Sequence, residues 1–166
     1  MKKAFCVFAC VTILFCLAGC TGKTPPTPQF DFTSEISVSL GEDTNFLKGN
    51  LVSSSQGTLS LEITTPDEIR GLTYKWRKNL NVSLQDISVE VDKGYFPKTS
   101  VPSALYNVLF HVQRSGEFQD FDGDIATFTG RSESGDYTLK TDSKGKICEI
   151  SLEEINMKIK FEYKQK

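Results

Sequence analysis

The sequence predicts a mainly β domain of the α+β class, in which an antiparallel sheet curls around one main helix. Apolar and polar residues alternate along most of residues 30–166, turn signals separate the alternating runs, and residues 101–113 carry a strong helical spacing. Alternation with one polar face is typical of antiparallel sheets, because one face packs on the core and the other meets water. We therefore expect a meander of about ten strands, interrupted once by the helix.

The alternating runs define which side chains we expect to face the core. Each run keeps its apolar residues at every second position, and turns rich in Gly, Asp and Ser separate the runs. The expected inward positions are Phe30, Phe32, Ile36, Val38, Leu40, Leu47, Leu51, Leu59, Leu61, Ile63, Leu80, Val82, Leu84, Ile87, Val89, Val91, Phe118, Ala126, Phe128, Tyr137, Leu139, Cys148, Ile150, Leu152, Ile155, Met157, Ile159, Phe161 and Tyr163.

Two segments depart from this alternation. The first segment, residues 101–113, predicts a helix whose N-cap is Ser100 or Ser103. The second segment, residues 65–72, predicts one short helix or turn that opens at Pro66. The apolar stripe of the longer helix is wider than a surface helix needs, so we expect it to be buried against the concave side of the sheet. That stripe comprises Val101, Ala104, Leu105, Tyr106, Val108, Leu109, Phe110 and Val112.

The N-terminus has the features of an export signal. Lys2 and Lys3 precede the uncharged residues 4–17, which are too few to span a bilayer comfortably and are typical of a signal peptide. The stretch ends in Leu17-Ala18-Gly19-Cys20, which resembles the lipobox of bacterial lipoproteins. The resemblance implies a signal peptide over residues 1–19 and a diacylglycerol, palmitate-type anchor on Cys20. The alternative is an ordinary secretory peptide with a cysteine near its end.

A proline-rich segment follows the lipobox. Residues 20–29 combine the lipidated cysteine with Pro25, Pro26 and Pro28, which favour an extended, semi-rigid tether of about 3.1 Å per residue. No further break rich in proline or glycine divides residues 30–166, so we expect one domain there. The predicted location is the cell membrane, at its extracytoplasmic face, or the outer membrane if the organism has one.

Composition excludes two broad classes of protein. The formal net charge of −2 argues against nucleic acid as a partner, because such binding needs a basic face. A hydrophobic content of 39% with 24% charged residues excludes a disordered chain. Of the cysteines, Cys148 alone remains after processing and lipidation, and its position in a predicted strand suggests a small buried hydrophobe.

The whole arrangement resembles the LolA/LolB-like lipoproteins, which include the LppX and LprG type. The resemblance rests on the lipobox, the proline-rich tether, the strand and helix order, and two phrases: L-x-L-E-I-T-x-P-x-x-I-x-G-L over residues 59–72 and D-x-x-G-K-I-x-E-I over residues 142–150. It implies an unclosed β-barrel, or half-barrel, whose apolar cavity carries acyl chains under a helical lid. A buried arginine latches that lid in LolA-type carriers, and Arg70 and Arg77 are the candidates here. LolB-type proteins insert cargo with an exposed leucine loop, whereas residues 53–57 are polar.

The predicted ligand is therefore a lipid or acyl chain in an apolar cavity. We expect its lining to be Tyr74, Trp76, Leu105, Leu109 and Phe128. A sheet of this many strands holds either packed side chains or side chains and one small ligand. The alternative is thus a solid core, in a domain that serves as a non-enzymatic envelope interaction or assembly factor.

No grouping of residues predicts catalysis, a metal or a cofactor. Residues 120–124 alternate aspartates but lack the glycine and glutamate spacing of an EF-hand, so we interpret them as a hairpin turn. His111 has no second metal ligand at a recognisable spacing, and no Gly-x-Ser-x-Gly motif occurs. The alternating lysines of residues 158–166 indicate a strand edge protected against aggregation, or else a surface for anionic lipid headgroups.

Overall fold

The structure, a computed structural model, describes residues 24–164, excluding the side chains of Thr44 and Asn45. The predicted signal peptide and Cys20 lie outside these residues. The described chain forms eleven strands and one α-helix: β1 Phe32–Leu40, β2 Asp43–Ser54, β3 Thr58–Thr65, β4 Thr73–Trp76, β5 Leu80–Leu84, β6 Ile87–Val91, α1 Val101–Ser115, β7 Glu117–Phe121, β8 Ile125–Ser132, β9 Gly135–Asp142, β10 Ile147–Leu152 and β11 Met157–Glu162. Short 3₁₀ turns lie at Asp67–Ile69, Lys93–Tyr95 and Glu153–Ile155.

All eleven strands belong to one antiparallel sheet. The spatial order is β6-β5-β4-β3-β2-β1-β11-β10-β9-β8-β7, so the first and last strands pair in the middle. β6 and β7 are the two outer strands and do not pair with each other, which leaves the sheet unclosed. Helix α1 connects these two edges after the sixth strand. The predicted fold class, an antiparallel half-barrel around one main helix, is confirmed.

The core lies between the helix and the inner face of the sheet. The alternation correctly identifies the inward residues of the central strands: in β11, Met157, Ile159 and Phe161 are buried while the intervening residues are exposed. Full burial of a leucine or isoleucine side chain stabilises the fold by about 1.5–3 kcal/mol relative to leaving it in water. The largest fully buried side chains include Leu51, Leu61, Ile63, Leu80, Leu105, Leu139, Ile147, Ile150, Leu152 and Ile159.

Helix α1 begins and ends as its sequence indicates. The hydroxyl oxygen of Ser100 accepts the backbone N–H of Ser103 at 3.4 Å, and Pro102 occupies the first turn. The N–H of Gly116 donates to Val112 at the other end. The helix extends two residues beyond the predicted range. The expected short helix near Pro66 is the single 3₁₀ turn Asp67–Ile69.

Cys148 is half-buried, which corrects the expectation that it is a buried hydrophobe. A register shift between Ile147 and Glu149 places Ile147, rather than Cys148, on the inner face. The thiol donates a hydrogen bond to the Lys146 carbonyl at 3.4 Å. Burial, together with the negative charge of Asp142, raises the pKa of the Cys148 thiol, so it stays protonated and weakly nucleophilic.

The end of the predicted tether is bound to the domain. The backbone N–H of Gln29 donates to the carbonyl of Gly145 at 2.8 Å, and its side-chain amide donates to Lys144, also at 2.8 Å. A Cβ at Gly145 would collide with the carbonyl oxygen of Thr27. The tether is therefore shorter than the ten residues expected, because residues 27–29 pack against the turn between β9 and β10.

Candidate apolar ligand site on the inner face of the sheet

All five predicted lining residues contribute to the packing between α1 and the sheet. Tyr74 and Trp76 lie on β4, and their rings stack at 6.0 Å between centroids. Leu105 and Leu109 are buried on α1. Phe128 is buried on β8, in the other half of the sheet. The structure therefore brings the β4 and α1 residues into one region and leaves Phe128 apart from the aromatic contacts described next.

A row of aromatic rings joins α1 to β4. Ring centroids lie 5.7 Å apart for Phe96 and Tyr74, 5.7 Å for Trp76 and Tyr106, and 5.4 Å for Tyr106 and Phe110. Each such pair contributes about 0.5–1.5 kcal/mol beyond the burial of its area. The helical spacing predicts Tyr106 and Phe110 as part of the apolar stripe, without indicating their ring contacts. Tyr106 and Phe110 are four residues apart and therefore lie on one face of the helix, and Tyr74 and Trp76 are two residues apart and lie on one face of the strand. These two spacings are the sequence features that indicate the aromatic row.

The space beneath the helix is filled. Leu105 has no solvent-accessible surface and Trp76 keeps 3%, so no void wider than water touches Leu105. The cleft between the C-terminal half of α1 and the β2–β3 turn, lined by Phe30, Leu109 and Phe110, has a volume of about 20 Å³. That volume holds about one water molecule. The five predicted lining residues therefore do not surround an open acyl-chain cavity in this arrangement, and a ligand reaches them only if α1 moves.

Larger hollows lie on the outer face of the sheet. One, of about 440 Å³, is mainly polar and is lined by Glu35, Lys48 and Glu162 among others. Another, of about 880 Å³, is mixed, with Leu152 and Met157 beside Lys158 and Lys160. Both carry charged side chains, whereas an acyl chain gains free energy from apolar burial.

The inner face continues beyond the helix as an exposed apolar surface on the β5–β6 hairpin. Three cross-strand pairs lie on this face: Leu80 with Val91, Val82 with Val89, and Leu84 with Ile87. The first pair packs on the core, whereas Leu84, Ile87 and Val89 are 38%, 72% and 55% exposed. We call Val82, Leu84, Ile87 and Val89 the hairpin patch. The alternation of these strands predicts core positions for all four residues, which is wrong for Leu84, Ile87 and Val89.

Leu84, Ile87 and Val89 are exposed because the elements that cover the inner face do not extend over the whole β5–β6 hairpin. The alternation of β5 and β6 correctly predicts their apolar face, and the pairing register keeps that face intact. Burial then depends on what covers the face, and within residues 24–164 the core contacts Leu80, Val82 and Val91. It leaves Leu84, Ile87 and Val89 exposed. An amphipathic strand pattern cannot show whether its apolar face has a covering element.

Three polar side chains attach α1 to the loops and strands around it. Asn107 donates to the hydroxyl of Ser134 at 2.9 Å, and Gln113 donates to the carbonyl of Ser55 at 2.6 Å. Nδ1 of His111 lies 2.9 Å from the hydroxyl oxygen of Tyr137. Bonds of this kind contribute about 0.5–1.5 kcal/mol each, so the polar attachment of the helix is modest.

The His111–Tyr137 contact depends on a glycine beside it. A Cβ at Gly130 would lie 2.5 Å from the Tyr137 hydroxyl oxygen and 3.2 Å from Cε1 of His111. Burial, with a smaller effect from the negative charge of Glu117, raises the pKa of Tyr137 to about 12. The tyrosine is therefore neutral at physiological pH. The environment of His111 is a helix–sheet contact rather than a set of metal ligands.

A second cleft, of about 110 Å³, lies beside the N-terminal half of α1. Its floor is formed by Trp76 and Tyr106, and its rim carries two lysines. Nζ of Lys93 donates to the hydroxyl of Tyr106 at 3.1 Å, and Lys98 forms an ion pair with Glu133 at 3.2 Å. Lys98 is paired with a carboxylate, whereas Lys93 donates to two neutral oxygens, the Tyr106 hydroxyl and the Arg77 carbonyl.

Two further expectations concern charged residues. Arg70 and Arg77 are both exposed, and Arg70 pairs with Asp67, so neither is the buried latch that the family resemblance implies.

The lysines of residues 158–164 lie on or after β11, which is a central strand. Their interpretation as protection of a strand edge is therefore wrong, because strand order cannot be read from alternation. They form part of the solvated outer face.

The remaining segments show turn chemistry. One carboxylate oxygen of Asp122 accepts the backbone N–H groups of Asp124 and Ile125 at 2.8 Å, as in an ordinary hairpin turn. Among residues 24–164 no group of three metal-ligating side chains comes together. No helix in that same part of the chain combines the length and hydropathy needed to cross a membrane.

No protein-family model matches the chain, and no curated protein matches it. Among solved structures, a LolA superfamily protein from Nitrosomonas europaea aligns with 80% of this chain and 69% of its own, at 12% identity and a TM-score of 0.39. At that score the similarity adds nothing to the fold already described.

Proposed function

We propose that this protein is a non-enzymatic lipoprotein, anchored through Cys20 at the extracytoplasmic face of a membrane, that binds an acyl chain on the inner face of its open sheet. The observation that carries the proposal is the hairpin patch. It is an apolar surface continuous with the core beneath α1, and no element covers it among residues 24–164. An exposed patch of this kind, rimmed by polar residues, is typical of a binding surface.

The patch suits a long apolar chain better than a compact ligand. Two cross-strand pairs, Val82 with Val89 and Leu84 with Ile87, form a strip that leads from the tip of the hairpin towards buried Leu80. An acyl chain lying along the strip would cover apolar side chains at about 0.8 kcal/mol per buried methylene. Seven methylenes would therefore contribute about 6 kcal/mol before the ordering of the chain is subtracted.

Deeper entry requires α1 to act as a lid. The helix rests on the aromatic row and on the polar contacts of Asn107, His111 and Gln113. A chain that enters beside Trp76 would replace the apolar contacts of the helix with its own. Displacement of α1 exposes its buried stripe, which includes Leu105 and Val108, so the bound chain offsets only the part of this loss that it covers on the sheet.

The anchor and the bound tether support a position near the membrane. Seven residue-to-residue steps lead from Cys20 to Thr27, the first tether residue against the domain, and each step extends the chain by at most about 3.6 Å. The domain would therefore stay within about 25 Å of the lipid anchor. A carrier held at this distance can reach lipids of the same leaflet.

A second function is favoured by the filled interior. The cleft of about 20 Å³ beneath α1 fits a solid domain whose hairpin patch docks an apolar surface of another envelope protein. This interaction or assembly factor needs no movement of the helix. The two functions differ in whether the protein carries lipid.

Lipid analysis of the full chain, purified from bacterial membranes, tests the proposal. We expect non-covalent lipid in native mass spectra and uptake of a fluorescent fatty acid, reduced about tenfold by Leu84→Asp. Val52→Asp is the matched control, because Val52 is 48% exposed and lies on the outer face of β2. Equal uptake by both variants, or no lipid and no uptake by the parent, would refute the acyl-chain proposal and favour the docking function.

A further inference from the structure

The two edges of the sheet differ in how they are protected against strand addition. A strand edge exposes unpaired backbone N–H and C=O groups, and proteins block such edges with charges, prolines or bulges. β7 has these features: its register shifts between Phe118 and Asp120, and acidic Glu117 and Asp120 are exposed along it. β7 is thus a poor template for another strand.

β6 lacks the same protection. It pairs with β5 without any register shift over the whole of Ile87–Val91, and it contains no proline. Its one charged side chain, Glu90, shares the polar face with Ser88, whereas Ile87, Val89 and Val91 share the apolar face. Ile87, Ser88, Val89 and Glu90 are all exposed. On the side of β6 away from β5, the described chain places no further strand.

We propose that β6 is a dimerisation edge that pairs antiparallel with β6 of a second copy of this chain, around a two-fold axis at Val89. In this register Val89 lies opposite the partner's Val89, and Ile87 lies opposite the partner's Val91. Every apolar residue then meets an apolar residue on the same face, since side chains of a strand alternate between faces. The inner faces of the two half-barrels become continuous.

Charge selects this register over its neighbours. With the axis at Val89, Glu90 lies opposite the partner's Ser88, an acceptable polar pair. A shift of the axis by one residue towards the C-terminus would place Glu90 opposite the partner's Glu90, and like charges directly across a sheet are destabilising. A shift the other way would leave Val91 opposite polar Gln85, beyond the end of β6. Only the axis at Val89 uses the whole strand.

A second copy is the occupant that this sequence specifies, because the strand is complementary to itself. An extended segment of an unrelated protein would need its own apolar residues in the same alternation. The inference does not depend on acyl-chain binding, since it concerns the backbone edge of β6 rather than a ligand on the inner face of the sheet.

Cysteine cross-linking of the full chain in bacterial membranes tests the register. Residues directly opposite in an antiparallel pair have Cα atoms about 4.5–5.5 Å apart, within the range of a disulfide. We expect Val89→Cys to form a cross-linked dimer under mild oxidation. Ser88→Cys alone and Glu90→Cys alone should not, because each would lie about 8 Å from its own equivalent. A mixture of Ser88→Cys and Glu90→Cys copies should cross-link as a heterodimer.

The parent chain, which keeps Cys148, is the blank for these reactions. The mass of the detergent-solubilised protein supplies an independent measurement: we expect the parent to be a dimer and Val89→Lys a monomer. The circular dichroism spectrum of Val89→Lys should match that of the parent, because Val89 is 55% exposed and its replacement leaves the core intact. Val52→Lys on the outer face should remain dimeric. A monomeric parent, a dimeric Val89→Lys variant, or cross-linking at Val89 without the mixed heterodimer would each overturn the proposal.

Discussion

The hydroxyl oxygen of Tyr137 on β9 lies 2.9 Å from Nδ1 of His111 on α1, and Gly130 leaves the space that this hydroxyl occupies. The helix is thereby attached to the half of the sheet opposite the aromatic row. This places a polar contact and a set of stacked rings on different sides of the same helix. Movement of α1 would have to break one or the other first.

Removal of the Tyr137 hydroxyl should weaken the fold. We expect Tyr137→Phe to lower the free energy of unfolding by about 1–2 kcal/mol, because it leaves His111 without its partner. Urea denaturation measures this change. Tyr95→Phe is the control, since Tyr95 is 88% exposed and its hydroxyl has little to lose. Equal effects of the two substitutions would show that the His111 contact contributes nothing.

Gly130→Ala should be destabilising for a steric reason. The added Cβ would lie 2.5 Å from the Tyr137 hydroxyl oxygen, and overpacking of this kind typically costs about 1–3 kcal/mol. The double variant Gly130→Ala/Tyr137→Phe should lose less than the sum of the two single changes, because the clash and the hydroxyl are coupled. Strict additivity in urea denaturation would contradict this geometry.

Alkaline pH should reveal the burial of Tyr137. Its folded-state pKa is raised from 10.0 to about 12, so the folded protein holds this proton more tightly than the unfolded chain. The resulting stability is fully present below pH 10 and is lost as the pH rises towards 12. We expect the unfolding free energy of the parent to fall more steeply over that window than that of Tyr137→Phe. Parallel curves would contradict the shift.

The bound tether gives a prediction about Gln29. Gly145→Ala should place a Cβ against the Thr27 carbonyl and speed hydrogen exchange at the Gln29 amide, which donates to Gly145. Gly41→Ala is a matched control: Gly41 also has a positive φ, of 59°, but no atom lies near its missing Cβ. Both variants should lose about 1 kcal/mol to backbone strain. Unchanged Gln29 exchange in Gly145→Ala would contradict the attachment.

Local sequence patterns predict most of the fold because the periodicity of a helix or strand determines which of its side chains share a face. The alternation in β11 and the stripe of α1 identify the buried residues correctly, since each follows from the geometry of its own element. Even the face of β6 is correct, although it is not buried.

The remaining features depend on contacts between distant segments. The position of β11 in the middle of the sheet follows from its pairing with β1, which alternation does not encode. The register shift before Glu149 moves Cys148 off the inner face without any turn residue to mark it. The exposure of Ile87 reflects how far the covering elements reach. The sequence therefore predicts a closed cavity beneath α1, whereas the exposed apolar surface lies on the β5–β6 hairpin.

Locking α1 to the sheet tests the central claim, that the inner face takes up an acyl chain when the helix moves. The side-chain amide of Gln113 reaches the Ser55 backbone carbonyl, a longer span than a disulfide bridges, so Gln113→Cys/Ser55→Cys is joined with a short bifunctional thiol reagent that contains a reducible link, and fluorescent fatty-acid uptake is compared before and after reduction. We expect uptake to fall at least tenfold on cross-linking and to recover on reduction, with the parent unaffected. Equal uptake in both states would contradict a moving lid.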